Sequence, residues 1–220
     1  MSFKASLLHF IVMSALSLAA LPAIAQNANP GKTLQIVGFG DSLMAGYQLP
    51  ASESYTAQLE AALKAKGVNV TIANAGVSGD TTAGGLARID WSVPDGTDGV
   101  ILELGANDAL RGIPPQQSEK NLDAILTRLK ARNIAVLFVG IIAPPNMGGD
   151  YAEKFNPIYQ RLADKHGVPL YPFFLDGVTT VAGMQLEDGM HPNAKGVGVM
   201  VEKTLAAVES FLGAITAGTK

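Results

Sequence analysis

The sequence predicts an α/β fold in which a parallel sheet of about five strands lies between layers of helices. Five mostly apolar runs, at residues 34–39, 68–73, 99–104, 134–139 and 169–173, are separated by longer segments, several of them with helical spacing. The runs are continuous and rich in β-branched residues, which is typical of strands buried on both faces. No repeat or low-complexity segment interrupts this alternation, so we expect one domain over residues 34–220.

The predicted helices end at residues that favour helix termini. The helices over residues 53–66 and 150–166 are followed by Gly67 and Gly167, and glycine readily adopts the left-handed conformation found there. A further helix is predicted over residues 117–132, between the third and fourth strands. Asn193 is expected to cap the last helix, which runs to about residue 213, because its side chain can accept a bond from a first-turn amide.

The first 25 residues have the pattern of a secretory signal peptide. Lys4 supplies the positive charge, and residues 5–21 form an almost unbroken apolar stretch. The sequence Ala23-Ile24-Ala25 before Gln26 has the small-x-small form of a cleavage site. A transmembrane anchor is the alternative, since the apolar run is near the lower length limit for spanning a bilayer. Cleavage would leave a linker over residues 26–33 and a periplasmic or secreted protein without stable membrane insertion.

Composition narrows the classes of function. The chain has 16 basic and 19 acidic residues, a formal net charge of −3, and no basic cluster, which argues against a nucleic-acid partner. It has no cysteine, so a thiol nucleophile is excluded.

Ser42, Gly79 and Asn107 each follow a predicted strand. Because ligands in such sheets sit outside the carboxyl ends of the strands, we expect these residues to gather at one edge. The Ser42 hydroxyl is a candidate nucleophile, and the Asn107 amide with the N–H groups of Gly79 and Ser42 could donate to an oxyanion. Ordinary turn or helix-capping roles are the alternative for all three residues.

His191 is the good candidate for a general base among the three histidines. His9 leaves with the signal peptide, and His166 ends a predicted helix, where a cation interacts favourably with the helix dipole. Pro192 disfavours helical geometry at His191, so a turn is expected, and Asp188 can fold back across it to one imidazole nitrogen. The other nitrogen then remains for the serine, although Asp188 could instead only satisfy its own turn.

Asp41, Asp80 and Asp108 form an acidic set that could hold a metal ion. Each follows a predicted strand and could instead stabilise its own loop by accepting backbone hydrogen bonds. With one spare histidine and no cysteine, a metal site would have to consist of oxygen ligands alone. We therefore expect no metal ion at these residues.

Four segments together resemble the motifs of the GDSL, or SGNH, hydrolases. They are Gly-Asp-Ser-Leu at residues 40–43, Ser-Gly-Asp-Thr at 78–81, Gly-Ala-Asn-Asp at 105–108 and Asp-Gly-Met-His-Pro at 188–192. The resemblance extends from about residue 34 to residue 193. It is closest to the bacterial periplasmic group of acyl-CoA thioesterase I, arylesterase and lysophospholipase. It implies a flavodoxin-like three-layer α/β/α sandwich and an activity that needs no cofactor.

The resemblance also implies a serine esterase that works through an acyl-enzyme on Ser42. It assigns catalysis to Ser42, Asp188 and His191, and the oxyanion hole to Ser42, Gly79 and Asn107. The implied substrates are small-molecule esters or thioesters, namely aryl esters, acyl thioesters or lysophospholipids, with carbohydrate acetyl esters as an alternative. A non-catalytic periplasmic protein that binds acyl or sugar ligands is a hypothesis of another class, but it would not need this serine, histidine and aspartate together.

Overall fold

The computed structural model describes Met1 and residues 32–218, and this part of the chain forms a five-stranded sheet. The strands are β1 (Leu34–Gly40), β2 (Val70–Gly76), β3 (Gly99–Glu103), β4 (Ala135–Val139) and β5 (Leu170–Tyr171). Their order is β2-β1-β3-β4-β5, and every neighbouring pair is parallel. The predicted parallel sheet is therefore confirmed, whereas the predicted signal peptide lies outside the described residues.

Helices cover both faces of the sheet. In chain order they are α1 (Ser42–Ala45), α2 (Tyr55–Ala65), α3 (Thr82–Ser92), α4 (Ala106–Leu110), α5 (Pro115–Ala131), α6 (Gly149–Phe155), α7 (Ile158–His166) and α8 (Ala194–Thr216), with 3₁₀ turns at Ala51–Glu53 and Pro145–Met147. Helix α2 packs against α8, and α5 packs against both α3 and α7. This arrangement confirms the predicted three-layer α/β/α fold. None of the helices in residues 32–218 is long and apolar enough to cross a membrane.

The strand order reverses at the centre of the sheet, between β1 and β3. From β1 the chain moves outward to β2, and from β3 it moves outward on the other side to β4. Ligands bind at such a switch point, beyond the carboxyl ends of the strands. Phe39 of β1 lies opposite Leu102 of β3, and both side chains are fully buried. The segments that follow, 41–42 and 105–107, therefore leave the sheet side by side.

Several bounds differ from the sequence prediction, and β5 is shortened to Leu170–Tyr171 from the predicted 169–173; two of the differences have local reasons. The single helix expected over residues 150–166 is two helices, because Pro157 lacks an N–H and its ring clashes with the preceding turn. The second strand begins at Val70 rather than at residue 68, because the Val68 N–H is used in the end of α2, bonding the Leu63 carbonyl at 3.0 Å.

Helix α3 is absent from the sequence prediction. Its adjacent Gly84 and Gly85 each disfavour a helix interior by about 1 kcal/mol relative to alanine. Tertiary packing explains the second glycine, since a Cβ at Gly85 would collide with the side chains of Leu104 and Phe39. The helix is thus stabilised by its fit against the sheet rather than by its own propensity.

Candidate active site

Ser42 lies at the start of α1, directly after the central strand β1. Asp41 caps this short helix by accepting a bond from the Leu43 N–H at 3.0 Å, and Gly46 ends it in the left-handed conformation. The Ser42 side chain is only slightly exposed, and its Oγ lies 2.9 Å from His191 Nε2. Within the part of the chain that the structure describes, the Ser42 N–H makes no hydrogen bond.

Asp188 and His191 face each other across the tight turn before α8. Asp188 Oδ2 lies 2.6 Å from His191 Nδ1, while Oδ1 accepts bonds from the backbone N–H groups of Met190 at 2.9 Å and His191 at 3.0 Å. Burial acts to raise the pKa of Asp188, but these two N–H groups and the imidazole outweigh it and lower that pKa to about 2. Asp188 is therefore ionised at neutral pH and stabilises a proton on Nδ1, which leaves Nε2 to accept one from Ser42.

Asn107 lies in the first turn of α4, immediately beyond the neighbouring central strand. Its Nδ2 donates to Asp41 Oδ2 at 3.3 Å, so one amide hydrogen is held and the other remains for a ligand. Gly79 lies in the turn after β2 with a φ of +84°, a conformation that favours glycine. Its carbonyl accepts a bond from Arg111 at 2.8 Å, while its N–H makes no bond to any described residue.

A pair of buried carboxyl groups, Asp41 and Glu103, lies at the adjacent ends of β1 and β3. Glu103, the last residue of β3, is fully buried, and its Oε2 accepts the Asp41 N–H at 3.3 Å. Its Oε1 has no partner among the described residues. Burial raises the pKa of Asp41 to about 6, and it raises the pKa of Glu103 well above the ordinary value, with the Asp41 charge raising it further. The pair therefore keeps a proton near neutral pH, because two adjacent carboxylates in a dry site would repel.

The acidic set considered as metal ligands consists of three side chains with separate structural partners. Asp41 caps α1, and Asp80 accepts a bond from Arg88 at 2.6 Å. Asp108 accepts bonds from the Thr82 N–H at 2.8 Å and from the Ser118 hydroxyl at 2.8 Å, which ties α3 and α5 to α4. In residues 32–218 no three acidic or histidine side chains are grouped as metal ligands.

Arg88 is a buried residue near the site that sequence reasoning missed. Its guanidinium donates to the Gly40 carbonyl at 2.8 Å, to the Ala75 carbonyl at 2.8 Å and to Asp80, and it lies 3.9 Å from the centre of the Phe39 ring. These contacts join the ends of β1 and β2 to the turn that contains Gly79. No local pattern marks such a residue, because its partners come from three separate segments.

The other predicted histidine lies elsewhere, as its position at a helix end indicated. His166 is the last residue of α7, and its Nε2 is 2.6 Å from Asp123 Oδ1. The aromatic ring beside His191 is that of Tyr47, a residue that the sequence prediction did not include. The two ring centres are 4.4 Å apart.

The chain is similar to known ester hydrolases over most of its length. The model of the GDSL-like lipase/acylhydrolase family matches residues 39–199. An arylesterase of Vibrio mimicus is 42% identical over 159 residues, which cover 72% of this chain and 80% of the relative. Thioesterase 1/protease 1/lysophospholipase L1 of Escherichia coli K12 is 42% identical over 155 residues, covering 70% of this chain and 73% of the relative. The crystal structure of AlinE4, an SGNH-hydrolase family esterase, has a TM-score of 0.70 at 46% identity and covers 82% of this chain and 97% of that one.

Proposed function

Because this chain belongs to the GDSL-like lipase/acylhydrolase family and is a serine ester hydrolase, we propose that Ser42 is its nucleophile and forms the acyl-enzyme. The observation that carries this proposal is a continuous line of hydrogen bonds, 2.6 Å from Asp188 to His191 Nδ1 and 2.9 Å from His191 Nε2 to Ser42 Oγ. A nucleophile bonded to a base, with the base oriented by an ionised acid, is the arrangement that acyl transfer requires.

In the first step, Ser42 Oγ bonds to the carbonyl carbon of the ester while its proton moves to His191 Nε2. The carbonyl π electrons move onto the oxygen and produce a tetrahedral oxyanion. Asp188 stays ionised and stabilises the imidazolium that forms. When the tetrahedral species collapses, the bond to the leaving oxygen or sulfur breaks, and the Nε2 proton goes to that atom.

In the second step, water replaces the leaving group. His191 Nε2 takes a proton from the water as its oxygen bonds to the acyl carbon. Collapse of the second tetrahedral species breaks the bond to Ser42 Oγ, which recovers the proton and releases a carboxylic acid. No redox or metal step is needed for this cycle to balance.

The oxyanion would be held by three donors from three segments. They are the N–H groups of Ser42 and Gly79 and the second amide hydrogen of Asn107. Two observations support this assignment: neither N–H has a hydrogen-bond partner among the described residues, and the Asn107 amide is oriented by Asp41. Donors oriented in advance stabilise charge that develops only in the transition state.

We propose small-molecule esters and thioesters with apolar groups as substrates. The relatives are named as an arylesterase and as a thioesterase and lysophospholipase. Several large apolar side chains outside the helices and strands remain exposed, among them Tyr47, Val77, Ile142 and Met190. Tyr47 contacts His191 and Met190 directly precedes it, so apolar side chains adjoin the proposed base, which favours apolar groups over sugars. The composition of residues 1–25 supports action in the periplasm or outside the cell.

The test is Ser42→Ala, compared with Ser210→Ala on the exposed face of α8 as a matched control. Loss of the nucleophile should lower the turnover of a chromogenic aryl ester on the order of 10⁶-fold and abolish labelling by a fluorophosphonate. The control variant should keep both properties, and both proteins should keep the wild-type circular dichroism spectrum. Turnover within tenfold of wild type in Ser42→Ala, in a preparation free of host esterase, would rule out the mechanism.

A further inference from the structure

The ring of Tyr47 packs against the imidazole of His191 and is still partly open to solvent. The two ring centres are 4.4 Å apart, with an angle of 36° between the planes, and Tyr47 is 37% exposed. Its backbone N–H bonds the Ser42 carbonyl at 3.2 Å, so the residue is tied to the nucleophile helix. Within the described residues its hydroxyl makes no hydrogen bond, so the aromatic ring is the part with a defined contact.

The chemistry of His191 determines which part of the substrate passes this ring. His191 Nε2 must give its proton to the leaving atom, which therefore comes within hydrogen-bond distance, about 2.6–3.2 Å, of that nitrogen. Whatever is attached to the leaving atom then lies beside the imidazole. Since the Tyr47 ring already contacts the imidazole, it borders the position of the leaving group, whereas the carbonyl oxygen is held toward the oxyanion donors.

The turn that contains His191 has both apolar and acidic side chains near this position. Met190, which lies in the same turn as His191, is 49% exposed. Asp188 is ionised at neutral pH, and Glu187 next to it is exposed. A flat neutral group gains contact with the Tyr47 ring, whereas a phosphate-bearing leaving group would approach these carboxylates at an electrostatic cost.

We propose that Tyr47 determines leaving-group specificity by stacking on an aromatic leaving group, so that aryl esters are favoured over esters with aliphatic or phosphorylated leaving groups. This inference rests on the proposed roles of Ser42 and His191. It narrows the substrate from esters and thioesters in general to those whose alcohol is aromatic. Stacked and edge-to-face aromatic pairs contribute beyond simple area burial, which gives the effect a measurable size.

The experiment compares two acetate esters whose leaving groups have similar pKa values, phenyl acetate and a fluoroalkyl acetate, so that intrinsic reactivity is matched. Tyr47→Leu keeps an apolar side chain without the ring, and Tyr47→Phe keeps the ring without the hydroxyl. Tyr47→Leu should lower kcat/KM for the phenyl ester roughly 3- to 10-fold and change the fluoroalkyl ester less than about twofold. Tyr47→Phe should keep the wild-type ratio of the two esters. Trp91→Leu, at an aromatic side chain 74% exposed on α3, is the control and should also keep that ratio.

Two results would overturn the assignment. Unchanged kcat/KM values for both esters in Tyr47→Leu would mean that the ring does not contact the leaving group. An equal loss for both esters would mean that Tyr47 only positions His191. Titration with a fluorophosphonate separates these results from failure of the proposed mechanism, because active protein is labelled whatever the ester ratio. Wild-type protein that resists the label would instead disprove the role of Ser42.

Discussion

At the scale of single residues, the Asp41 side chain connects the fold to the proposed chemistry through its contact with Asn107. One carboxylate oxygen of Asp41 caps the helix that presents Ser42, and the other accepts a bond from Asn107 at 3.3 Å. The proposed nucleophile and the proposed side-chain oxyanion donor are thus held by the same buried group. A small movement of Asp41 would displace both.

Replacement of Asn107 tests whether its amide is an oxyanion donor or only part of a turn. Asn107→Ala should lower turnover roughly 10²- to 10³-fold with little change in KM, because the lost bond acts on charge present only in the transition state. Steady-state kinetics on an aryl ester measure both constants. Asn107→Asp, which places an acceptor and a negative charge at the oxyanion, should be at least as inactive. If either variant lost thermal stability while keeping most of its turnover, Asn107 would be structural.

At the scale of elements, helix α3 carries Arg88 to the turn that contains Gly79. The guanidinium binds Ala75 before this turn and Asp80 after it, and it also binds Gly40 at the end of β1. The helix therefore has a role beyond covering the sheet. It fixes the Gly79 turn relative to the segment that contains Ser42.

Replacement of Arg88 should impair catalysis by moving the Gly79 turn. Arg88→Lys keeps a positive charge for Asp80 but cannot bridge three acceptors, so we expect turnover to fall on the order of 10- to 100-fold, as displacements of about 1 Å can cause. Affinity for a boronic acid that mimics the tetrahedral species should fall in parallel, because the oxyanion donors are misplaced.

A matched control for this prediction is Arg128→Ala. Arg128 is an exposed arginine of α5 that bonds the Leu86 carbonyl at 3.3 Å and Asp90 at 3.0 Å. Its loss should change stability by less than about 1 kcal/mol and leave turnover unaltered. A lysine variant at position 88 with wild-type turnover and boronate affinity, but a lower Tm, would show that Arg88 serves only the fold.

At the scale of the whole molecule, the buried acids give stability a dependence on pH. The pKa of Asp41 is raised to about 6 and that of Glu103 well above its ordinary value, so the folded protein holds protons that the unfolded chain releases. Stability therefore falls as the pH rises from the ordinary carboxyl pKa through the raised ones. Asp188, with its pKa lowered to about 2, acts in the opposite direction and loses its contribution as the pH falls from about 4 toward 2.

Glu103→Gln should reduce this dependence. The amide keeps the shape and an acceptor for the Asp41 N–H but cannot ionise, so the proton that the Glu103 carboxyl holds in the folded protein no longer contributes. We expect the decrease in Tm between about pH 5 and pH 8 to be smaller in the variant than in the wild type. Calorimetric scans across this range measure it, and equal decreases in the two proteins would show that the carboxyl pair does not titrate as described.

The sequence by itself determined the fold class, because the signals involved are local. Continuous apolar runs, helix-ending glycines and strand–helix alternation depend on neighbouring residues, and they led to a parallel sheet that the structure confirms. The same local signals placed Ser42, Gly79 and Asn107 after strands and Asp188 in a turn with His191. Local propensity did not predict α3, because its two adjacent glycines disfavour a helix that is stabilised by packing against the sheet.

Only the tertiary structure decided how these residues are brought together and what supports them. Ser42 and His191 are 149 residues apart in the chain and 2.9 Å apart in space, a distance that no local pattern can supply. Arg88, Glu103 and Tyr47 draw their roles from partners on other elements. Burial and proximity exist only once the chain has folded. The folded structure alone therefore shows a buried charge, a carboxyl oxygen without a partner or a ring beside a base.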